Sequence, residues 1–95
     1  MVASIYINTA MNLKLKAKLK NIPKKPGVYF WLDKAGRVLY VGRATSLKVR
    51  LSQYFQKNID RRIAEMVDQA VNIKYETTDS LLEAIILEAK NIKKY

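Results

Sequence analysis

Two runs of β-branched and aromatic residues, 27–32 and 37–43, flank a short polar segment at 33–36 that ends in glycine. This pattern predicts a β-hairpin. If its connection is symmetric, Tyr29 faces Tyr40 directly, and both phenols lie on one side of the sheet. A three-residue loop with a glycine bulge would instead shift the register by one residue.

The remaining elements follow from periodicity and capping residues. Apolar and basic residues alternate over 13–20, which is a strand-like period, but Lys, Leu and Ala favour a short helix there. The predicted elements are a helix over 13–20 capped by Asn12, a helix from a cap at Thr45 or Ser46 to about Gln56, a helix over 60–69 opened by Asp60, and a half-buried strand over 71–75.

The last predicted helix starts with Ser80 and Glu83, which fit a capping box ahead of a long apolar run. Glu88 falls inside the apolar arc of its helical wheel, between Ala84 and Ile92. The buried face is predicted to consist of Leu81, Leu82, Ile85, Ile86, Ala89 and Ile92.

The length of 95 residues predicts one domain over 1–95, in which residues 1–11 form a disordered or extraneous leader and not a signal peptide. No apolar run is long enough to predict a transmembrane helix. Eighteen basic and eight acidic residues give a formal net charge of +10. This imbalance favours a polyanionic partner, with nucleic acid first and an anionic membrane surface second.

The chain contains no cysteine and no histidine. Disulfides, thiolate nucleophiles, histidine bases and the usual zinc sites are therefore excluded. Catalysis would have to use Tyr, Lys, Arg, Asp or Glu, and any metal would have to accept oxygen ligands.

Glu88 is the most informative candidate, because a carboxylate on a core-facing stripe needs a partner. A salt bridge to Lys or Arg is the simpler interpretation, and a magnesium ion that keeps several waters is the alternative. Tyr29 and Tyr40 are candidate general bases if nearby positive charge lowers a phenol pKa. Arg43 and Arg50 flank a predicted helix start and are candidate phosphate ligands. Each residue taken alone also fits a purely structural role.

Taken together, the motifs resemble a known family. Gly27-Val28-Tyr29, Tyr40-Val41-Gly42 followed by Arg43-Ala44, then Arg50 and Glu88 in a late helix, are similar to the GIY-YIG nuclease superfamily. Pro26-Gly27, Leu39-Tyr40, Tyr54-Phe55 and 83–89 are most similar to the N-terminal nuclease domains of the UvrC family, which cut damaged DNA in bacterial nucleotide excision repair.

This resemblance implies an α+β fold with a small three-stranded mixed or antiparallel sheet flanked by helices. It also implies a cytoplasmic, metal-dependent endonuclease that acts on DNA, with other excision-repair subunits as partners and no membrane. The implied roles are Tyr29 as general base, Tyr40 for positioning, Arg43 and Arg50 for phosphate charge, Glu88 as ligand of a single Mg²⁺ or Mn²⁺, Gly27 and Gly42 for close backbone approach, and Lys24, Lys25 and Lys48 as DNA contacts.

Two departures from the UvrC pattern stand out. Arg43 replaces the usual lysine, and Lys90 replaces an asparagine. The family pattern also continues beyond Tyr95 to a further active-site asparagine. Two alternatives therefore stay open: a DNA-binding module of the same fold without catalysis, and another branch of the superfamily such as a structure-specific or mobile-element endonuclease.

Overall fold

The structure, a computed structural model, describes residues 9–56 and 59–95. Its elements are α1 (Thr9–Lys18), a 3-10 turn (Leu19–Asn21), β1 (Gly27–Leu32), β2 (Val38–Ala44), α2 (Leu47–Gln53), α3 (Arg61–Gln69), β3 (Asn72–Thr77) and α4 (Leu81–Lys94). The strands form one antiparallel sheet in the order β2-β1-β3. The predicted α+β class with a small three-stranded sheet is confirmed.

Side-chain caps begin the helices after the hairpin, as predicted. The Ser46 hydroxyl accepts from the Val49 amide, and the Asp60 carboxylate accepts from the Arg62 amide. Helix α2 ends at Gln53 instead of near Gln56. The amides of the next three residues each bond to a carbonyl three positions back, which tightens the chain into turns.

The helix predicted over 13–20 is present, but it already includes Thr9. Asn12 is therefore inside α1 and is not its N-cap. Because α1 begins at Thr9, residues 9–11 of the predicted leader are helical as well. The rest of that leader, residues 1–8, lies outside the described residues.

The hairpin register differs from the symmetric prediction. Gly36 adopts a positive φ of 83°, and its amide donates to the Asp33 carbonyl at 2.9 Å, which closes a tight loop. A further irregularity in the strand pairing lies between Trp31 and Leu32. As a result Tyr29 lies opposite Gly42 and not opposite Tyr40. The prediction of direct pairing is wrong, because the loop and the bulge each add one residue to the second strand.

The two phenols nevertheless lie on the same side of the sheet, with ring centroids 6.3 Å apart. That side carries the main core, where Tyr29 and Trp31 pack against apolar residues of the flanking helices. The buried helical members are Leu15 of α1, Leu19 of the 3-10 turn, Leu47 and Leu51 of α2, and Val67 of α3.

Helix α4 packs on β1 and β2 and covers the opposite side of the sheet. Its apolar stripe was predicted to be buried, and that prediction is wrong. Leu81, Leu82, Ile85, Ile86, Ala89 and Ile92 are all exposed, with Leu82 at 66%.

The side of α4 that meets the sheet carries Ala84, Leu87, Glu88 and Asn91, spaced three or four residues apart. Ala84 is fully buried, and its small side chain allows close approach of helix and sheet. Glu88 meets Arg43 on this side, so a charge pair and a small residue orient the helix. None of the described helices is long and apolar enough to cross a membrane.

Two substitutions in α4 test this orientation. Leu82→Ala should change the free energy of unfolding by no more than about 0.5 kcal/mol, because the side chain is exposed. Ala84→Leu should destabilise the fold by about 1–3 kcal/mol through overpacking. Urea denaturation followed by circular dichroism measures both. The reverse ranking would place the predicted apolar stripe against the sheet.

Gly42 of β2 lies directly against the ring of Tyr29. A Cβ atom built at this position would overlap the Tyr29 ring, at atoms Oη and Cζ. Gly42→Ala should therefore cost about 1–3 kcal/mol of unfolding free energy. In a Tyr29→Ala background the added methyl group has room, so the same substitution should cost less. An equal cost in both backgrounds would contradict this packing.

Candidate active site

Tyr29 is the centre of the polar cluster on the core side of the sheet. Its side chain is buried, and its hydroxyl lies 2.6 Å from the Tyr54 hydroxyl. Tyr54 directly follows α2, so this bond ties that helix to β1. The two rings meet edge to face, with centroids 5.7 Å apart. A buried phenol needs a partner for its hydroxyl, and each of these phenols provides one to the other.

Arg50 lies one helical turn before Tyr54 in α2. Its guanidinium carbon is 5.9 Å from the centre of the Tyr54 ring, and Nη1 donates to Gln53 Oε1 at 3.2 Å. Its interaction with the Tyr29 hydroxyl raises the pKa of the Arg50 guanidinium. The side chain is exposed, so the cation stands between the buried phenols and solvent.

The environment changes the acidity of both buried phenols. Burial raises the pKa of Tyr29, although the hydrogen bond with Tyr54 and the nearby Arg50 cation act to lower it. Burial and the bond with Tyr29 raise the pKa of Tyr54 far above its ordinary value. Both hydroxyls are therefore protonated at neutral pH, and Arg50 is the cation that favours ionisation of Tyr29.

Arg43 and Glu88 form the second polar group of the site. Arg43 Nη1 donates to Glu88 Oε1 at 2.6 Å, which joins β2 to α4. The Glu88 side chain is 15% exposed and that of Arg43 48%. The structure contains the salt bridge that was the simpler interpretation of Glu88 in the sequence.

Strand β2 separates the two groups. Tyr40 and Gly42 point to the core side with Tyr29, whereas Arg43 points to the side covered by α4. Because β2 is an edge strand, Tyr40 and Arg43 lie at the same edge of the sheet, on its two opposite sides. Among the described residues, no contact joins Glu88 to Tyr29 or to Arg50.

The other candidates also have definite places. A Cβ atom at Gly27 would overlap the Glu76 carbonyl of β3, so this glycine serves strand packing. The Lys25 carbonyl accepts from the Leu47 amide at 2.9 Å, and the Pro23 carbonyl accepts from the Lys48 amide at 3.2 Å. These bonds bring the backbone of the three candidate lysines, Lys24, Lys25 and Lys48, to the first turn of α2.

Glu88 is the carboxylate that this group offers to a metal ion. Among residues 9–56 and 59–95, no three His, Cys, Asp or Glu side chains come together. Arg43 occupies Oε1 of Glu88 and leaves Oε2 for another ligand. A hard oxygen donor of this kind fits Mg²⁺ or Mn²⁺, which accept a single carboxylate with waters and phosphate oxygens in the remaining positions. The residues present therefore fit such an ion.

Tyr54 was not predicted as a site residue from the sequence. It was named only within the Tyr54-Phe55 pair that resembles the UvrC family. Its spacing of four residues from Arg50 puts both side chains on one helical face, and this was the available signal. Its hydrogen bond with Tyr29 depends on how α2 packs, which the sequence pattern does not specify.

Comparison with known proteins gives consistent matches. The model of the UvrC-like GIY-YIG domain matches residues 25–95. UvrABC system protein C of Treponema denticola is 48% identical over 82 residues, which cover 86% of this chain and 13% of that protein. The Malacoplasma penetrans protein of the same name is 41% identical over 85 residues, which cover 90% of this chain and 14% of that protein. The chain thus spans about a seventh of these relatives.

Solved structures match in the same way. The GIY-YIG N-terminal endonuclease domain of UvrC from Thermotoga maritima, bound to magnesium as its catalytic divalent cation, aligns with a TM-score of 0.79 and 33% identity. The alignment covers 86% of this chain and 90% of that domain. A point mutant of the same domain, also bound to its catalytic divalent cation, gives the same TM-score. With the family model and these relatives in agreement, the chain belongs to the family of UvrC-like GIY-YIG domains.

Proposed function

We propose that this domain hydrolyses a phosphodiester bond in DNA, as the endonuclease module of UvrC-type nucleotide excision repair. The observation that carries the proposal is the buried pair of Tyr29 and Tyr54 next to the exposed Arg50 cation. This cluster can exchange a proton and neutralise a phosphate within a chain of net charge +10.

The proposed roles follow from position. The ionised form of Tyr29 accepts the proton of the attacking water, and Tyr40, whose ring is 6.3 Å away and partly exposed, orients the water or the phosphate. Arg50 and Arg43 neutralise charge that develops on the phosphate. Gly42 brings the backbone of β2 against the Tyr29 ring and so fixes the position of the phenol. Lys24, Lys25 and Lys48 contact flanking phosphates.

Glu88 is the proposed ligand of one Mg²⁺ or Mn²⁺ ion. Such an ion, when bound, supplies positive charge to phosphate oxygens and lowers the pKa of a water molecule. Magnesium in the Thermotoga maritima domain supports this proposal. From the resemblance to the UvrC family we propose a cut on the 3′ side of a lesion, other excision-repair subunits as partners, and a cytoplasmic location.

The Arg43–Glu88 ion pair favours one alternative, a DNA-binding module without catalysis. In that case the pair is purely structural, and the domain binds DNA in a salt-sensitive manner without cutting it. A different branch of the superfamily, such as a structure-specific or mobile-element endonuclease, would cut other DNA structures with the same residues. A metal-dependent cleavage assay on several DNA structures distinguishes the three.

Cleavage of nicked and bubble DNA under single-turnover conditions with Mg²⁺ or Mn²⁺ tests the residue roles. Tyr29→Phe should reduce the rate by roughly 100-fold or more, the usual effect of removing a general base. Glu88→Gln should also reduce it strongly, because the proposed metal loses its protein ligand. Glu65→Gln and Tyr75→Phe are matched controls and should cut at the wild-type rate. Glu65 lies on the exposed side of α3, and Tyr75 lies opposite Tyr29 on β3. Unchanged cleavage in Glu88→Gln would refute the metal-ligand role.

The pKa of Tyr29 predicts the pH dependence of cleavage. Since burial raises this pKa, the ionised fraction of the phenol should grow with pH, and the rate should rise between neutral and mildly alkaline pH. The hydrogen bond with Tyr54 lowers the pKa of Tyr29, so Tyr54→Phe should raise it further and displace the rate profile to higher pH. Tyr75→Phe should leave the profile in place. A profile that Tyr54→Phe does not displace would contradict Tyr29 as the base.

A further inference from the structure

The Arg43–Glu88 pair differs from the other ion pairs of the described chain. Asp33 with Arg37 and Arg61 with Glu65 are separated by four residues and lie within one turn or one helix. Arg43 and Glu88 are separated by 45 residues and connect the edge strand β2 to α4. Because the Glu88 side chain is shielded from solvent, its bond with Arg43 joins two partly desolvated charges.

Arg43 compensates the charge on Glu88. A guanidinium does not lose its proton at accessible pH, so the carboxylate can be released only if the side chain moves. A divalent cation that approaches Glu88 therefore meets a positive charge in contact with Oε1. The cation and Arg43 compete for the same negative charge.

The Arg43 side chain is held differently from that of Arg50, the other arginine of the site. Nearly half of its side chain is exposed, and Glu88 is its hydrogen-bond partner among the described residues. Arg50, in contrast, bonds to Gln53 and stacks on Tyr54. A phosphate group offers Arg43 two parallel hydrogen bonds in exchange for the single bond from Nη1 to Glu88.

We propose that Arg43 is a positioning residue that holds Glu88 in the metal-free domain and releases it to a divalent cation when a DNA phosphate binds the guanidinium. The inference rests on the proposed function, in which Glu88 is the metal ligand. DNA and metal then bind with positive coupling, because the phosphate offsets the cost of separating Arg43 from Glu88. Arg43 thus neutralises the Glu88 carboxylate until DNA binds.

Mn²⁺ affinity in the absence of DNA tests the competition, with free Mn²⁺ measured by electron paramagnetic resonance. Arg43→Ala should bind Mn²⁺ about ten-fold more tightly than the wild-type domain, a typical coupling between two linked sites. Arg50→Ala also removes one positive charge from the site but leaves the Arg43–Glu88 ion pair intact, so it should tighten Mn²⁺ binding much less. Equal tightening by the two variants would overturn the proposal in favour of a general field effect. Unchanged or weaker binding by Arg43→Ala would also overturn it, because Arg43 would then orient Glu88 for the metal.

A Glu88→Gln arm separates this inference from the proposed function. If Glu88→Gln binds Mn²⁺ as the wild type does, the proposed metal site is wrong, and the inference fails with it. If Glu88→Gln loses Mn²⁺ binding while Arg43→Ala behaves as the wild type, only the competition is wrong. Circular dichroism of each variant confirms that it is folded before its affinity is compared.

Two further measurements do not depend on the stability of Arg43→Ala. In the wild-type domain, the NMR signal of the Arg43 side-chain Nε–H should move on saturation with Mg²⁺, and a signal that stays in place would overturn the proposal. In a Tyr29→Phe background, a short DNA duplex should tighten Mn²⁺ binding. Adding Arg43→Lys, which keeps the charge but not the paired donors, should reduce that tightening. Equal tightening with arginine and lysine would overturn the role of the phosphate.

Discussion

The buried hydroxyl of Tyr29 requires a hydrogen-bond partner, and much of the site follows from how that partner is supplied. The phenol lies in the middle strand of the sheet, where an unpaired hydroxyl would be costly. Tyr54 pairs with it at 2.6 Å, which fixes the end of α2 against the sheet. Arg50, one turn earlier, is thereby held beside both phenols. The absence of a side chain at Gly42 makes the arrangement possible, because the ring occupies the space of a Cβ atom.

The other side of the sheet is organised by charge and not by apolar burial. Glu88 and Arg43 meet between α4 and β2, and the small Ala84 side chain lets the helix approach. The hydrophobic stripe of α4, including Leu82 and Ile86, is left on the surface. This helix carries Glu88, the proposed metal ligand, so its orientation bears on the proposed function.

The two polar groups differ in rigidity. Tyr29 and Tyr54 are buried and bonded to each other, so the packing fixes the positions of both hydroxyls. Arg43 is half exposed and is bound to Glu88 through a single hydrogen bond. In the proposed exchange of partners by Arg43, the site changes on the side of Glu88 while the buried phenols keep their positions. This division matches the position of β2 at the edge of the sheet.

The sequence by itself determined the family, the order of the elements and most of the helix starts. These features are local, because caps such as Ser46 and Asp60 and the strand runs around Tyr29 and Tyr40 act within a few residues. Only the tertiary structure decided the hairpin register, since the bulge between Trp31 and Leu32 is invisible in composition. It also decided the pairing of Tyr29 with Tyr54 and the exposed stripe of α4. Helical periodicity shows that a stripe such as Leu82 and Ile86 exists, but contacts between distant residues, Arg43 with Glu88 above all, determine which side faces the sheet.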